Sequence, residues 1–189
     1  MKSDELFFIA LRAVNASGIP YLITGSFASN YYGRPRSTKD ADFIIELGDR
    51  SINEIVNRLE GDFVLDPQMG FETITASHYY RVRHRESVFM LEFFLLSDSE
   101  FAQERFQRRR VIDLEGERTY LPTPEDVVVA KLRWCRHPGR KQDLTDATYV
   151  VALQREMLDW DYMAKWCSQH GTLDLLEQLK AQARPPSAP

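Results

Sequence analysis

Leu22-Ile23-Thr24-Gly25-Ser26-Phe27-Ala28-Ser29-Asn30-Tyr31-Tyr32-Gly33-Arg34-Pro35-Arg36-Ser37-Thr38-Lys39-Asp40-Ala41-Asp42-Phe43-Ile44-Ile45-Glu46 is the stretch on which the reading of this chain turns. The apolar run Tyr21-Leu22-Ile23 leads into it and stops at Gly25-Ser26. A second apolar run is opened by two aspartates, Asp40 and Asp42. Side chains two residues apart on a β-strand share a face, so a strand over Asp40–Leu47 sets these carboxylates side by side at its mouth. Carboxylates that close repel unless a proton or a cation lies between them, and a hard divalent ion with oxygen ligands, Mg²⁺ or Mn²⁺, fits. Gly25 lets the backbone approach a ligand, while Ser26 is placed to cap the next helix and turn its hydroxyl and neighbouring N–H groups toward an anion. The bland alternative is a capped helix followed by a strand whose aspartates are merely solvated.

A Gly-Ser phosphate cradle followed by Asp-x-Asp resembles the nucleotidyltransferase superfold that includes DNA polymerase beta. Within it, the chain is similar to the AbiEii-type (abortive-infection toxin) and minimal nucleotidyltransferase branch, over about residues 5 to 155. In that superfamily a third acid comes from the strand beside the Asp-x-Asp strand. Glu92 occupies the matching position, where the family usually has Asp. Later in the chain, Pro124-x-Asp126…Lys131-Leu132-Arg133 and then Lys141-x-Asp143-x-x-Asp146 resemble the later motifs of the AbiEii-type branch, with Glu125 between Pro124 and Asp126. The resemblance places Lys131 and Asp143 in the active site, and Asp146 less securely.

Composition bounds the alternatives. A chain of 189 residues with an apolar fraction of 43% supports one domain, or one domain with a helical appendix. The net charge of −4 makes it no polycation, so nucleic-acid binding needs a local patch. The two cysteines, Cys135 and Cys167, lack metal-ligand spacing, and the four histidines are scattered. A reduced, cytoplasmic protein without a zinc site is therefore expected. No signal peptide or membrane span is expected, and no Walker or Rossmann glycine pattern is present.

The spacing predicts a helix over Ser3–Ala16, a buried strand Tyr21–Thr24 and a helix Ser26–Tyr32 closed by Gly33. The loop between them and Asp40 carries Arg34, Arg36 and Lys39, cations that hold triphosphate oxygens or soften the carboxylate repulsion, or simply face solvent. A helix over Ser51–Leu59 follows, then sheet over Phe71–Ala76 and Tyr79–Arg85. The latter alternates so that Arg81, Arg83 and Arg85 share a face, either a track for a phosphate chain or a wet surface. Val88–Leu96 is apolar on both faces apart from Glu92 and reads as a central, covered strand. A glutamate there demands a metal, a buried Arg partner or a wet strand end. Glu115-Gly116-Glu117 marks a hairpin. Thr123 caps a helix with Pro124 at its first position, and Lys131 falls on its inward stripe. Such a lysine either snorkels or meets phosphates or a carboxylate. Two further helices are expected near the C-terminus.

The expected fold is α/β (α+β): a small mixed β-sheet nucleotidyltransferase fold with a helical C-terminal third. The expected boundaries are 1–121 for the core, 122–183 for the helical region and 184–189 for a disordered tail. The activity implied is metal-dependent transfer of a nucleoside monophosphate from a nucleoside triphosphate. Asp40, Asp42 and Glu92 would hold Mg²⁺ or Mn²⁺. Gly25, Ser26, Lys39 and Lys131 would hold the nucleotide, with Asp143 orienting Lys131. An RNA 3′ end, a protein side chain and a small molecule remain open as acceptors, as does a toxin–antitoxin setting with an antitoxin partner. The rivals are a nucleotidyltransferase fold that has lost catalysis and serves as a binding or antitoxin-like module, and a metal-dependent phosphohydrolase.

Overall fold

The structure is a computed structural model that describes residues 3–182. The tail expected at 184–189 lies outside the described residues. The chain divides into two compact units. One takes in the chain up to Phe27 together with Ser37–Pro122, and the other Ala28–Arg36 together with the chain from Thr123 onward.

In the first unit, helix α1 (Ser3–Ser17) buries Leu6, Phe7, Ala10, Leu11 and Val14, a stripe at helical spacing. The main sheet has six strands: β1 (Tyr21–Ile23), β2 (Asp40–Ile45), β3 (Phe63–Leu65), β4 (Gly70–Glu72), β5 (Ser77–His84) and β6 (Met90–Leu95). Their order is β1-β2-β6-β5-β3, with β4 also paired to β5. Only the β2–β6 pair is parallel, so the sheet is mixed, as expected. One sheet face carries Ala41, Phe43, Ile45, Leu91, Phe93 and Val82, all fully buried. Phe43 stacks on Phe93 at 5.3 Å and lies parallel to Phe7 of α1 at 6.3 Å, which ties the helix to this face. Burying each such ring stabilises by roughly 1.5–3 kcal/mol.

The opposite face of the sheet is half-open. On it lie Asp40, Asp42 and Ile44 of β2, then Met90, Glu92 and Phe94 of β6. The expectation that β6 is covered on both sides is thus corrected. β6 is central, but only its Leu91–Phe93 side is sealed. It also begins at Met90, leaving Val88 76% exposed in the preceding turn. Apolar residues on both sides of a strand are equally compatible with a half-open face, because much of any protein surface is apolar.

Other departures are local. Helix α3 is only Asn53–Val56, and β3 was not foreseen because three half-buried residues show no alternation. Strand β4 ends at Glu72, whose carboxylate accepts from the Ile74 and Thr75 N–H groups at 2.7 Å and turns the chain. Arg85 falls beyond β5. After helix α4 (Glu100–Gln107), β7 (Arg110–Leu114) and β8 (Glu117–Leu121) form the expected hairpin. Its two-residue turn holds Glu115 at φ 52° and Gly116 at φ 85°. That turn type requires positive φ at both positions and matches the strand twist.

Helix α2 (Gly25–Tyr32) starts in the first unit, and its residues from Ala28 onward belong to the second. Gly33 does not close it through a left-handed turn. A Cβ there would lie 3.1 Å from the Val150 side chain and 3.2 Å from the Val150 nitrogen, so glycine serves close packing. The second unit continues with α5 (Pro124–Cys135), α6 (Lys141–Gln154), a 3₁₀ turn (Arg155–Met157), α7 (Trp160–Gln169) and α8 (Leu173–Gln182). Thr123 caps α5, its hydroxyl accepting from the Asp126 N–H at 3.4 Å and donating to the Asp126 carboxylate at 2.9 Å. The core holds Val128, Val129, Leu132, Ala147, Val150, Met163 and Trp166. On α6, Val150 and Val151 are buried, whereas Leu153 is 64% exposed. Among the described residues, no helix is long and apolar enough to cross a membrane.

Candidate active site

The site is built from the antiparallel join of β1 and β2. Their ladder runs one bond past β1, with the Thr24 N–H donating to the Asp42 carbonyl at 2.8 Å. The next residue, Gly25, is thereby brought against the Asp42 side chain. At φ 60°, a Cβ on Gly25 would fall 1.8 Å from Asp42 Oδ2 and 2.7 Å from its Cγ. Any other residue would collide with the carboxylate as well as strain the backbone. The buried Arg105 of α4 donates to the Thr24 hydroxyl and so braces this turn. Ser26, expected as the helix cap, lies inside the first turn of α2 because the helix begins one residue earlier.

Asp40 and Asp42 occupy alternate positions at the start of β2 and share its half-open face. The Thr38 hydroxyl donates to Asp40 Oδ1, orienting that carboxylate. Lys39, between Thr38 and Asp40, is exposed, and its carbonyl accepts from the Met90 N–H at 2.9 Å, which begins the β2–β6 pairing. Glu92 stands opposite Asp42 in that parallel pairing, and Arg81 stands opposite Glu92 on β5. Asp42, Glu92 and Arg81 therefore form one row across the sheet. The Arg81 Nε donates to Glu92 Oε1 at 2.7 Å, and its guanidinium lies over the Tyr79 ring at 4.9 Å.

Among the described residues, no three His, Cys, Asp or Glu side chains converge to hold a metal as they stand. The donor chemistry nevertheless suits one. Asp40 and Asp42 offer only oxygen, the missing Cβ of Gly25 makes way for the Asp42 carboxylate, and Glu92 follows in the same row. A hard divalent cation such as Mg²⁺ or Mn²⁺ takes such ligands, keeping several waters.

Lys131, Asp143 and Asp146 meet in the second unit. The buried Lys131 ammonium donates to Asp143 at 2.8 Å and to Asp146 at 2.9 Å. Asp146 also receives Arg36 in a two-pronged contact at 3.1 and 3.0 Å, and Gln142 at 2.9 Å. Arg140 closes on Asp143 at 2.7 Å. Burial alone would raise the pKa of Asp146, but donation from Arg36, Gln142 and Lys131 holds it well below the usual carboxylate range.

Sequence reading missed Arg105, Thr38 and the Arg36–Asp146 contact. For Arg105 a signal exists, since it shares the inward face of α4 with Phe101. Arg36 and Asp146 are separated by 110 residues, beyond any local rule.

The sequence matches no protein-family description, and a search of curated proteins gives no match. Solved structures are similar in fold. ANT(2")-Ia, in complex with adenylyl-2"-tobramycin, superposes with a TM-score of 0.56 at 12% identity, covering 95% of this chain and 98% of that one. A provisionally assigned nucleotidyltransferase from H. pylori gives 0.55 at 17% identity, over 96% of this chain and 80% of that one. An antigenic nucleotidyltransferase-like protein from Paracoccidioides brasiliensis gives 0.52 at 18% identity, over 96% and 94%. At these identities the likeness is one of architecture, and by it this chain has the nucleotidyltransferase fold.

Proposed function

We propose that the protein is a metal-dependent nucleotidyltransferase that moves a nucleoside monophosphate from a nucleoside triphosphate to an acceptor hydroxyl. The observation that carries this is Gly25, whose bare backbone is pressed against Asp42 while Asp40 shares the same face. The acceptor oxygen bonds to the α-phosphorus, and the bond from that phosphorus to the bridging oxygen breaks. Pyrophosphate leaves, and the hydroxyl proton passes to solvent. A bound Mg²⁺ or Mn²⁺ screens the phosphate charge and lowers the pKa of the hydroxyl. Asp40 and Asp42 would bind it, with Glu92 as a third ligand after parting from Arg81. Gly25 and Ser26 would receive the outer phosphates, and Lys39 would add positive charge. Lys131, oriented by Asp143, is proposed to act on the nucleotide as the resemblance implies.

ANT(2")-Ia carries adenylyl-tobramycin, so a small-molecule hydroxyl is one acceptor to try beside RNA and protein. A toxin role beside an antitoxin partner is compatible with the AbiEii-type likeness. The reading of a binding module without catalysis has one observation in its favour: Glu92 is engaged by Arg81.

The test is a titration of each of the four nucleoside triphosphates, with Mg²⁺ or Mn²⁺, on the wild type and on Asp42→Ala. Metal-dependent binding that disappears in the variant is the expected result. Wild type that binds none of them at millimolar concentration would sink the proposal and favour the non-catalytic module. Triphosphates labelled at the α-phosphorus, offered with RNA, protein and tobramycin, then identify the acceptor by transfer of label.

A further inference from the structure

A second cleft lies at the other end of β1, away from the carboxylate pair. Tyr21 pairs with Ile45, the last residue of β2, whereas Gly25 meets Asp42 near that strand's start. Four residues of extended chain, roughly 13 Å, separate Tyr21 from Gly25. The cleft has a volume of about 490 Å³, within the range of small-molecule pockets, and is lined by the end of α1, the start of β1, Arg109 and β8.

Its polar lining carries both signs of charge. The positive part is Arg109 and Arg118, whose guanidiniums lie 5.3 and 5.8 Å from the centroid of the Tyr120 ring. Arg109 donates through Nη1 to the Phe106 carbonyl at 2.5 Å, but its buried Nε has no acceptor among the described residues. Arg118 is exposed, and its guanidinium has no hydrogen-bond or ion-pair partner among them. The negative part is Glu117, which accepts from Asn15 Nδ2 at 3.4 Å and so stands at the last turn of α1. That turn has no basic residue, and the C-terminus of this 15-residue helix is the negative end of its dipole. Glu117 and the two arginines thus line one cleft without forming an ion pair. The rings are already engaged: Tyr21 is 2% exposed and meets Tyr120 edge-on at 5.3 Å, and Tyr120 carries the guanidiniums. Charge, not stacking, therefore sets what the cleft takes.

We infer that this cleft is a second binding site and that its ligand is an acidic α-amino acid. The ligand's two carboxylates go to Arg109 and Arg118, and its ammonium goes to Glu117 and the end of α1. A guanidinium fork matches a planar carboxylate, and Arg118 has its whole fork to offer. A plain dicarboxylate would satisfy the arginines but meet Glu117 and the negative helix end. A plain amine would meet the two guanidiniums. A molecule with two carboxylates and one ammonium is attracted by every charged group lining the cleft, and its net charge of −1 balances the cleft's own. The site stands apart from nucleotidyl transfer, and no covalent step takes place in it.

The test is calorimetric titration of the whole protein at pH 7 and low salt with glutamate and aspartate. Glutamine, which lacks the second carboxylate, and glutarate, which lacks the ammonium, are titrated beside them. Three variants are compared. Arg118→Gln and Glu117→Gln each remove one charge, the latter keeping an acceptor for Asn15. Arg110→Gln on β7, exposed and outside the cleft, is the control. Urea midpoints equal to wild type show that each variant is folded. The expected result is that glutamate or aspartate binds, with glutamine and glutarate weaker by roughly tenfold or more. Arg118→Gln and Glu117→Gln should each weaken the acidic amino acid by a similar factor, and Arg110→Gln should leave it within about twofold. The inference is overturned if neither acidic amino acid binds at millimolar concentration, or if glutarate or glutamine binds as tightly. It is also overturned if either cleft variant leaves affinity unchanged, or if the control weakens binding as much as they do. Displacement of the amino acid by a nucleoside triphosphate would place it at the carboxylate pair and overturn it as well.

Discussion

Gly25 and Asp42 meet more tightly than any ordinary side-chain contact allows, and the consequence can be stated for one methyl group. Gly25→Ala puts a Cβ where Asp42 Oδ2 now sits, at a backbone angle L-residues avoid. A strained positive φ costs on the order of 1–3 kcal/mol, and moving the Asp42 carboxylate adds to it. We expect Gly25→Ala to lower stability by about that amount in urea melts. We also expect it to remove metal-dependent triphosphate binding in calorimetry. A variant of unchanged affinity would show that the contact with Asp42 is incidental to the site. Thr38 offers a milder probe at the same place. Thr38→Val deletes the donor that orients Asp40 and should weaken metal affinity without unfolding the protein.

At the scale of elements, helices α5 and α6 are joined by buried charge, with the cap of α5 beside them. Lys131 is shared by Asp143 and Asp146, and Asp146 is further held by Arg36 and Gln142. A satisfied buried network contributes little net stability, but removing one member strands the others. Lys131→Met leaves two buried carboxylates short of a donor, and a loss of about 3–5 kcal/mol is expected from denaturant unfolding. The cap is a simpler case. Thr123→Ala frees the Asp126 N–H and should cost about 1 kcal/mol, read as a shift in the urea midpoint at constant slope.

For the molecule as a whole, stability should follow pH through two groups of the second unit. Burial lowers the pKa of His170 to about 4, with repulsion from Arg133 adding to it. The unfolded imidazole takes its proton near pH 6.5, before the folded one does. The contribution of the neutral ring is therefore complete above about pH 6.5 and is lost as pH falls toward the folded value. Denaturant unfolding at pH 7.5, 6 and 5 should show declining stability, and His170→Gln should flatten that decline. A variant as steep as wild type would show that other groups carry it. Asp146, whose pKa is held down in the folded state, keeps its contribution until pH drops below about 4, where the unfolded carboxylate protonates first.

Short-range rules were enough for much of this. Alternation put Asp40 and Asp42 on one face, positive-φ chemistry marked the Glu115-Gly116 hairpin, and Thr123-Pro124 announced α5. Each depends on neighbours a few residues apart, whose geometry is set by the backbone period alone. The sequence by itself thus determined which residues belong to one strand face or one helix stripe, and with that the carboxylate pair. Tertiary structure decided what lies across from them. That Gly25 meets Asp42, that Glu92 pairs with Arg81 and that β6 has an open side depend on strand order and register, while the reach of Arg36 to Asp146 depends on how the loop before β2 packs against α6. Burial of the whole chain selects those, because hydrophobic burial rewards apolar area removed from water and not the identity of any one pair.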